Sequence, residues 1–352
     1  MRLEFAPYLL KFKEASGTSR GVLTEKPTFL LKVYDEKEPE HFGLGEAAVF
    51  PGLSPEADGN YVWKLTELLA NVAIGKPTDL SRHSSIQFGF EQALLDYSND
   101  CRGIYFPTEF TEGKKQIEIN GLVWMGDYDQ MLERLEEKLK EGFKCIKLKI
   151  GAILWADELE IIHRIRKTYN ESDLMIRVDA NGGFSYETCG LKLRELADLG
   201  VHSIEQPIKS GHPELMSRLC KDSPLPIALD EELIGKGTLE ERIKTLEEIK
   251  PQYIILKPAL CGGFSGASEW IEEAEKRGIG WWITSALESN VGLNAIAQYT
   301  VSVHAQGPQG LGTGELFTNN FDTPICRAAD YIGFNPDIPF DYSQFSDLKW
   351  HK

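Results

Sequence analysis

The chain has 352 residues, 42% of them hydrophobic and 26% charged, with a formal net charge of −16. This length exceeds that of a typical single domain and predicts one large domain with a smaller companion. An excess of 54 acidic over 38 basic residues argues against nucleic acid or an anionic membrane as partner, since both require basic patches. At the N-terminus, FAPYLLKF and PTFLLKVYD read as strands, and charges at Lys11, Lys13 and Glu14 interrupt the apolar run, so no signal peptide is expected. The segment between them, KEASGTSRGVLTEK, is rich in Gly, Ser and Thr and predicts a flexible loop. Two helical stretches follow, NYVWKLTELLANVA and SSIQFGFEQALLDYSND, which completes the pattern of an α+β domain.

Beyond this region strands and helices alternate. QIEINGLVW, CIKLKIG, MIRVDAN, SIEQPI, PIALDEE, YIILKPA, GWWITSA and GPQGLGTG read as eight strands with seven helices between them, a nearly complete parallel barrel. The strands are short and mostly apolar, as strands covered on both faces are. The predicted organisation is a capping domain over 1–113, a (β/α)7β TIM-like barrel over 114–318 and a C-terminal segment over 319–352 that packs back on the capping domain. No stretch of about 18 apolar residues occurs, and the six cysteines form no CxxC pair, so a cytoplasmic protein with buried free thiols is expected.

Polar residues stand at the ends of successive apolar runs. From Lys149 to Asp179 is 30 residues, then 26 to Glu205, 25 to Asp230 and 27 to Lys257. A barrel unit of strand, helix and two loops takes roughly 30 residues, so each of these residues falls at the C-terminal end of its own strand, where such barrels hold their chemistry. Asp179, Glu205 and Asp230 are hard oxygen donors suited to Mg²⁺, with Mn²⁺ as an alternative. HExxH and paired cysteines are absent, which disfavours zinc. Strand-terminal acids also cap helices, but three in register favour a metal. Lys147 and Lys149 project to one side of a strand, and their mutual repulsion is expected to lower the pKa of one, giving a base. Lys257 lies in an apolar strand, where a lysine needs a partner. A lysine that forms a Schiff base remains open from these residues alone, although it leaves the acids unexplained.

K-x-K, VDANGGFS, EQP, LDE and the lysine of YIILKPAL together resemble the muconate-lactonizing-enzyme subgroup of the enolase superfamily. HFGLGEAAVFPG matches the capping domain of that family, and SALESNVGLNAIAQ with GLGTGELFTNN is most similar to its o-succinylbenzoate synthase branch, of the Bacteroidetes type. The resemblance implies metal-dependent syn dehydration of 2-succinyl-6-hydroxy-2,4-cyclohexadiene-1-carboxylate through an enediolate. By the same resemblance Lys149 is the base, Lys257 a cation facing it, Lys147 a tuning group and Asn181 a support, while Arg177 shapes the substrate side. Ser285 and the amides of its loop, Gly312 and Thr313, and Ser19 and Arg20 in a closing loop are expected substrate contacts. Racemisation of N-acylamino acids or epimerisation of dipeptides by the same two lysines is the alternative. Dipeptide epimerases of the subgroup usually carry Asp-x-Asp at the eighth strand, where this chain has GLGTGEL. The partner expected is a small carboxylate; the sequence is silent on oligomeric state.

Overall fold

In the computed structural model, which describes residues 1–18 and 21–352, the N-terminal region is an antiparallel sheet backed by two helices. Strands β1 (Arg2–Thr18) and β2 (Gly21–Tyr34) pair as a long hairpin, and β3 (Phe42–Ala47) runs along the other edge of β2. The hairpin extends into the segment expected to be a loop: Ser16, Gly17 and Thr18 pair with Leu23, Val22 and Gly21. β-branched Val22 and Thr24 favour the extended backbone there despite the glycines. Ser19 and Arg20, the expected loop contacts, lie outside the described residues. Helices α1 (Tyr61–Ala73) and α2 (Ser84–Ser98) bury Leu65, Leu68, Ile86 and Ala93 against Leu31 and Val33. The helix α2 approaches β3 so closely that a Cβ on Gly45 would come 2.0 Å from the Gly89 carbonyl oxygen, which excludes any side chain.

The rest of the chain is built on a seven-stranded parallel sheet in the order β11-β10-β9-β8-β7-β6-β5. Its elements are β5 (Gly121–Val123), α3 (Tyr128–Lys140), β6 (Cys145–Lys149), α4 (Trp155–Thr168), β7 (Met175–Asp179), α5 (Tyr186–Asp198), β8 (Ser203–Glu205) and α6 (Pro213–Asp222). They continue with β9 (Ile227–Leu229), α7 (Leu239–Ile249), β10 (Tyr253–Leu256), α8 (Gly263–Glu275), β11 (Gly280–Ile283) and α9 (Asn290–Ser302). One face of each strand is aliphatic, with Ile146, Leu148, Ile176, Val178, Ile204 and Leu229 in the main core. Because side chains alternate along a strand, the other face carries the polar residues together. Capping boxes at Asp127 with Gln130 and at Thr238 with Glu241 satisfy the exposed amides that open α3 and α7.

Two expected strands are modified. QIEINGLVW splits into β4 (Ile117–Glu118) and β5, and β4 pairs antiparallel with a C-terminal strand instead of joining the parallel sheet. GPQGLGTG contributes a two-residue bridge. The Gln309 amide donates to the Glu118 carbonyl of β4 at 2.8 Å, and the Gly310 amide to that of Ile283 of β11 at 2.8 Å. A hairpin of β12 (Ile325–Ala328) and β13 (Tyr331–Phe334) then pairs with β4, a feature the sequence reading lacked. Farther on, Phe340 and Phe345 pack on Leu30 and Leu44, and His351 bridges Phe5. The helix α9 is buried at every position from Val291 to Val301, and its Gln298 and Asn294 bond the backbone at Gly103 and Tyr105. Among the described residues no helix is long and apolar enough to cross a membrane.

Candidate active site

The polar face of the parallel sheet gathers lysines and acids at the C-terminal ends of the strands. Register places Lys149 level with Asp179 and Asp179 level with Glu205; Glu205 is level with Ala228, so Asp230 stands two residues farther along on the same face. Lys149 Nζ donates to Asp179 Oδ2 at 2.7 Å and to Asn181 Oδ1 at 2.7 Å. Lys147 Nζ donates to Glu205 and lies 3.1 Å from Asp179 Oδ2. From the end of β10, Lys257 Nζ donates to Asp230 and stands 4.0 Å from Glu205 Oε1. All three acids are buried, at 0–2% exposure, so each charge depends on these partners for compensation.

Electrostatics follow from that burial. Burial pushes Glu205 up to about 8, reinforced by the charge of Asp179 and opposed by that of Lys147. Burial favours a neutral Asp179 as well, but Lys147 and Lys149 together hold it well below the usual carboxylate range. Lys147 and Lys257, though desolvated, are both raised, Lys147 by Asp179 and Glu205 and Lys257 by Asp230 and Glu205. The expected depression of a lysine by its K-x-K neighbour is therefore not what governs Lys147, because the acids around it outweigh one like charge.

The donor set suits a hard divalent cation: three buried carboxylates on consecutive strand ends, with Glu205 Oε1 buried and lacking a hydrogen-bond partner among the described residues. In this conformation the acids are held by ammonium groups, and among the described residues no three potential ligands surround a common point. A cation would take over oxygens now bonded to lysine.

Asn181 links the cluster to the next loop, since its Nδ2 donates to Glu231 Oε1 at 3.1 Å. Its φ of 44° is left-handed, a conformation Asn tolerates better than most residues. Above the acids lies a cavity of about 730 Å³, counted out to its open mouth. Lys147, Lys149 and Lys257 line its floor, Phe50 and Leu53 from the N-terminal region its rim, and Ser285, Gly312 and Thr313 one wall.

Two expected contacts need correction. Arg177 sits one layer deeper on β7, where its Nη1 donates to the Pro308 carbonyl at 2.8 Å and its guanidinium stacks 4.1 Å from the Trp282 ring. It does not line the cavity, because a step of two residues along the strand moves it below the acids. Ser285 lines the cavity, but its hydroxyl donates to Glu288, and the amides of Ser285, Ala286 and Leu287 donate to Gly310, Glu288 and Ser285. None of these donors is free for a substrate carboxylate. Glu288, buried behind this wall, escaped the sequence reading; its only sequence signal is an acid in an otherwise small and apolar stretch.

A parallel α/β sheet with acids and lysines at its C-terminal edge and an antiparallel domain over the cavity defines a class. Residues 130–325 match the family described as enolase C-terminal domain-like, and the chain belongs to the enolase superfamily. It is 42% identical to an o-succinylbenzoate synthase of Desulfotalea psychrophila over 95% of this chain and 99% of that protein. The crystal structure of MenC from Desulfotalea psychrophila LSv54 matches with a TM-score of 0.84 and 40% identity, covering 95% of this chain and 99% of that one. An L-Ala-D/L-Glu epimerase of Bacillus subtilis is more distant, 25% identical over 76% of this chain and 69% of that protein.

Proposed function

We propose that this chain is a metal-dependent dehydratase that converts 2-succinyl-6-hydroxy-2,4-cyclohexadiene-1-carboxylate to o-succinylbenzoate. The observation that carries the reading is that Lys149 and Lys257, from separate strands of the sheet, turn their ammonium groups onto the same set of buried acids. Likeness to an o-succinylbenzoate synthase over nearly the whole chain selects the substrate. In this reading the parallel sheet is a (β/α)7β barrel closed through residues 309–310, with 1–113 as its cap and 319–352 returning to that cap.

Asp179, Glu205 and Asp230 would hold the cation, Mg²⁺ or Mn²⁺. A divalent ion there supplies positive charge to a substrate carboxylate and lowers the energy of the enediolate. Lys149 in its free-base form removes the proton on the carbon bearing the carboxylate. The electron pair moves into the carboxylate and then returns to form the double bond between C1 and C6 as the C6–O bond breaks, while Lys149 gives the proton to the departing 6-hydroxyl, which leaves as water from the same face. Lys257 offers a fixed cation beside the developing charge. Lys147, between Asp179 and Glu205, holds Asp179 ionised and opposes the burial that raises Glu205, and Asn181 holds Lys149 in place through its 2.7 Å hydrogen bond. Phe50 and Leu53 limit the access of water.

The test is turnover of the cyclohexadiene by purified protein with Mg²⁺ and with EDTA. Conversion that EDTA abolishes and Mg²⁺ restores is expected. Metal-loaded protein that leaves this compound untouched but racemises an N-acylamino acid would replace the reading.

A further inference from the structure

The Ser285 wall offers no free donor to a second substrate carboxylate, yet the cavity does not end there. A second space of about 800 Å³, counted out to its open mouth, adjoins it, and Asn120, Leu122, Trp124, Gly312 and Thr313 line both. The two spaces meet between the end of β5 and the segment 312–316. A Cβ on Gly312 would stand 3.6 Å from the Asn120 carbonyl oxygen and from Ile119 Cδ1, so the missing side chain is what keeps this passage open.

Two polar groups along the passage lack partners. Asn120 is 4% exposed, and its Oδ1 is buried without a hydrogen-bond partner among the described residues. A buried amide left unpaired is destabilising, and a ligand group that bonds it relieves the cost. The amide can turn about its last bond and present either its oxygen or its Nδ2. Farther out, α3 brings Arg134 to the second space. Its Nη1 donates to the carbonyls of Trp124 and Met125 at 3.2 and 2.9 Å, which fixes the guanidinium beside the passage and leaves Nη2 and Nε for a ligand. The other two cations that line this space are paired, Arg327 with Glu141 and Glu315 and Lys138 with Glu141. Glu14 and Glu137 line it as well, and among the described residues Arg134 has no acidic partner.

We propose that this passage is the subsite for the succinyl arm of the substrate: Asn120 Nδ2 donates to the ketone oxygen, and Arg134 takes the terminal carboxylate through charge-assisted hydrogen bonds. Leu122 and the Trp124 ring border the two methylenes between them. The inference rests on the reading of the lysine-lined cavity as the substrate site. With the arm held here, the ring carboxylate is left for the cation and the carbon that bears it for Lys149. Arg134 thus selects acids that carry a second carboxylate on a flexible arm, and it takes no part in the proton transfers.

Calorimetry on the Mg²⁺-loaded protein tests this with o-succinylbenzoate, with 2-butanoylbenzoate, which lacks the terminal carboxylate, and with 2-(3-carboxypropyl)benzoate, which lacks the ketone. Arg134→Gln should weaken o-succinylbenzoate by at least about tenfold, the worth of a hydrogen bond to a charged group, and leave 2-butanoylbenzoate within about twofold. Arg134→Lys, which keeps the charge, should recover most of that loss. Asn120→Ala should weaken o-succinylbenzoate about fivefold and leave the ketone-free acid within about twofold. In turnover, Arg134→Gln should raise KM at least about tenfold with kcat within about threefold of wild type. Equal losses for o-succinylbenzoate and 2-butanoylbenzoate in Arg134→Gln would mean that Arg134 only holds the turn at Trp124 and Met125, and would overturn the proposal; so would no loss for either. If wild type shows this selectivity but leaves the cyclohexadiene untouched, the dehydratase reading falls and the subsite stands. Should Arg134→Gln not fold, wild type decides: a preference of about tenfold for o-succinylbenzoate over 2-butanoylbenzoate supports the subsite, and one below about threefold overturns it.

Discussion

Replacing Lys257 with methionine separates the chemistry of the site from its contribution to stability. The change keeps most of the side-chain volume and deletes the ammonium that Asp230 binds, leaving that acid 2% exposed with its ion-pair partner gone. Breaking a buried pair from one side costs about 3–5 kcal/mol. Unfolding entropy of about 2.1 cal/mol/K per residue gives about 0.7 kcal/mol/K for this chain, so the metal-free variant should melt about 4–7 °C below wild type. A bound divalent cation compensates Asp230 in place of the lysine, so saturating Mg²⁺ should shrink the difference to about 1–2 °C. Activity should fall by about 10²–10⁴ in either condition, the usual worth of an acid/base or electrostatic group. Thermal scans with EDTA and with Mg²⁺, paired with turnover assays, read both effects. An equal loss of Tm with and without Mg²⁺ would refute the idea that metal and Lys257 share Asp230. Wild-type turnover in the variant would refute its role in the reaction.

Lys149→Ala should lose at least about 100-fold in kcat, while Mg²⁺ affinity by calorimetry stays within about threefold, because Asp179 keeps Lys147 beside it. Arg177→Met should lower Tm yet leave KM within about twofold, since its guanidinium meets Pro308 and Trp282 below the cavity; a KM raised tenfold or more would restore it as a substrate contact. His202 is held down to about 4 by burial and by Arg177, so its neutral form is favoured in the folded protein. The stability it contributes is present above its unfolded pKa of about 6.5 and is lost as pH falls toward 4. Denaturant titrations between pH 7 and 4 should show a shallower decline in His202→Gln than in wild type, and parallel curves would argue against this.

The candidate site was legible because a parallel α/β sheet repeats at a nearly fixed interval and sets polar residues at the ends of successive strands. Lys149, Asp179, Glu205, Asp230 and Lys257 each follow an apolar run, and period-two alternation then brings them to one face. What escaped has a different physical origin. The split of residues 116–124 depends on β13, more than 200 residues away, which no local pattern encodes. The two-residue bridge at 309–310 is too short to have a period, and a Cβ on Gly310 would come 2.1 Å from Thr284 Oγ1, so its glycine marks close approach more than strand propensity. Arg177, set on the substrate side by resemblance, shares a face with Asp179 but lies two residues deeper, at Pro308 and Trp282.

The helix α9 has a consequence for modularity. A helix surrounded on all sides belongs to both parts of the molecule, and here Gln298 Oε1 accepts from the amides of Tyr105 and Phe106 at 2.7 and 3.1 Å while Ser289, just before it, is tied to Glu46 of β3. Exchanging the N-terminal region for that of a relative would strand these amides and carbonyls in the interior, with no water to replace the lost partners. A transplanted N-terminal region is therefore expected to require its matching α9, although nearly 200 residues separate the bonded partners.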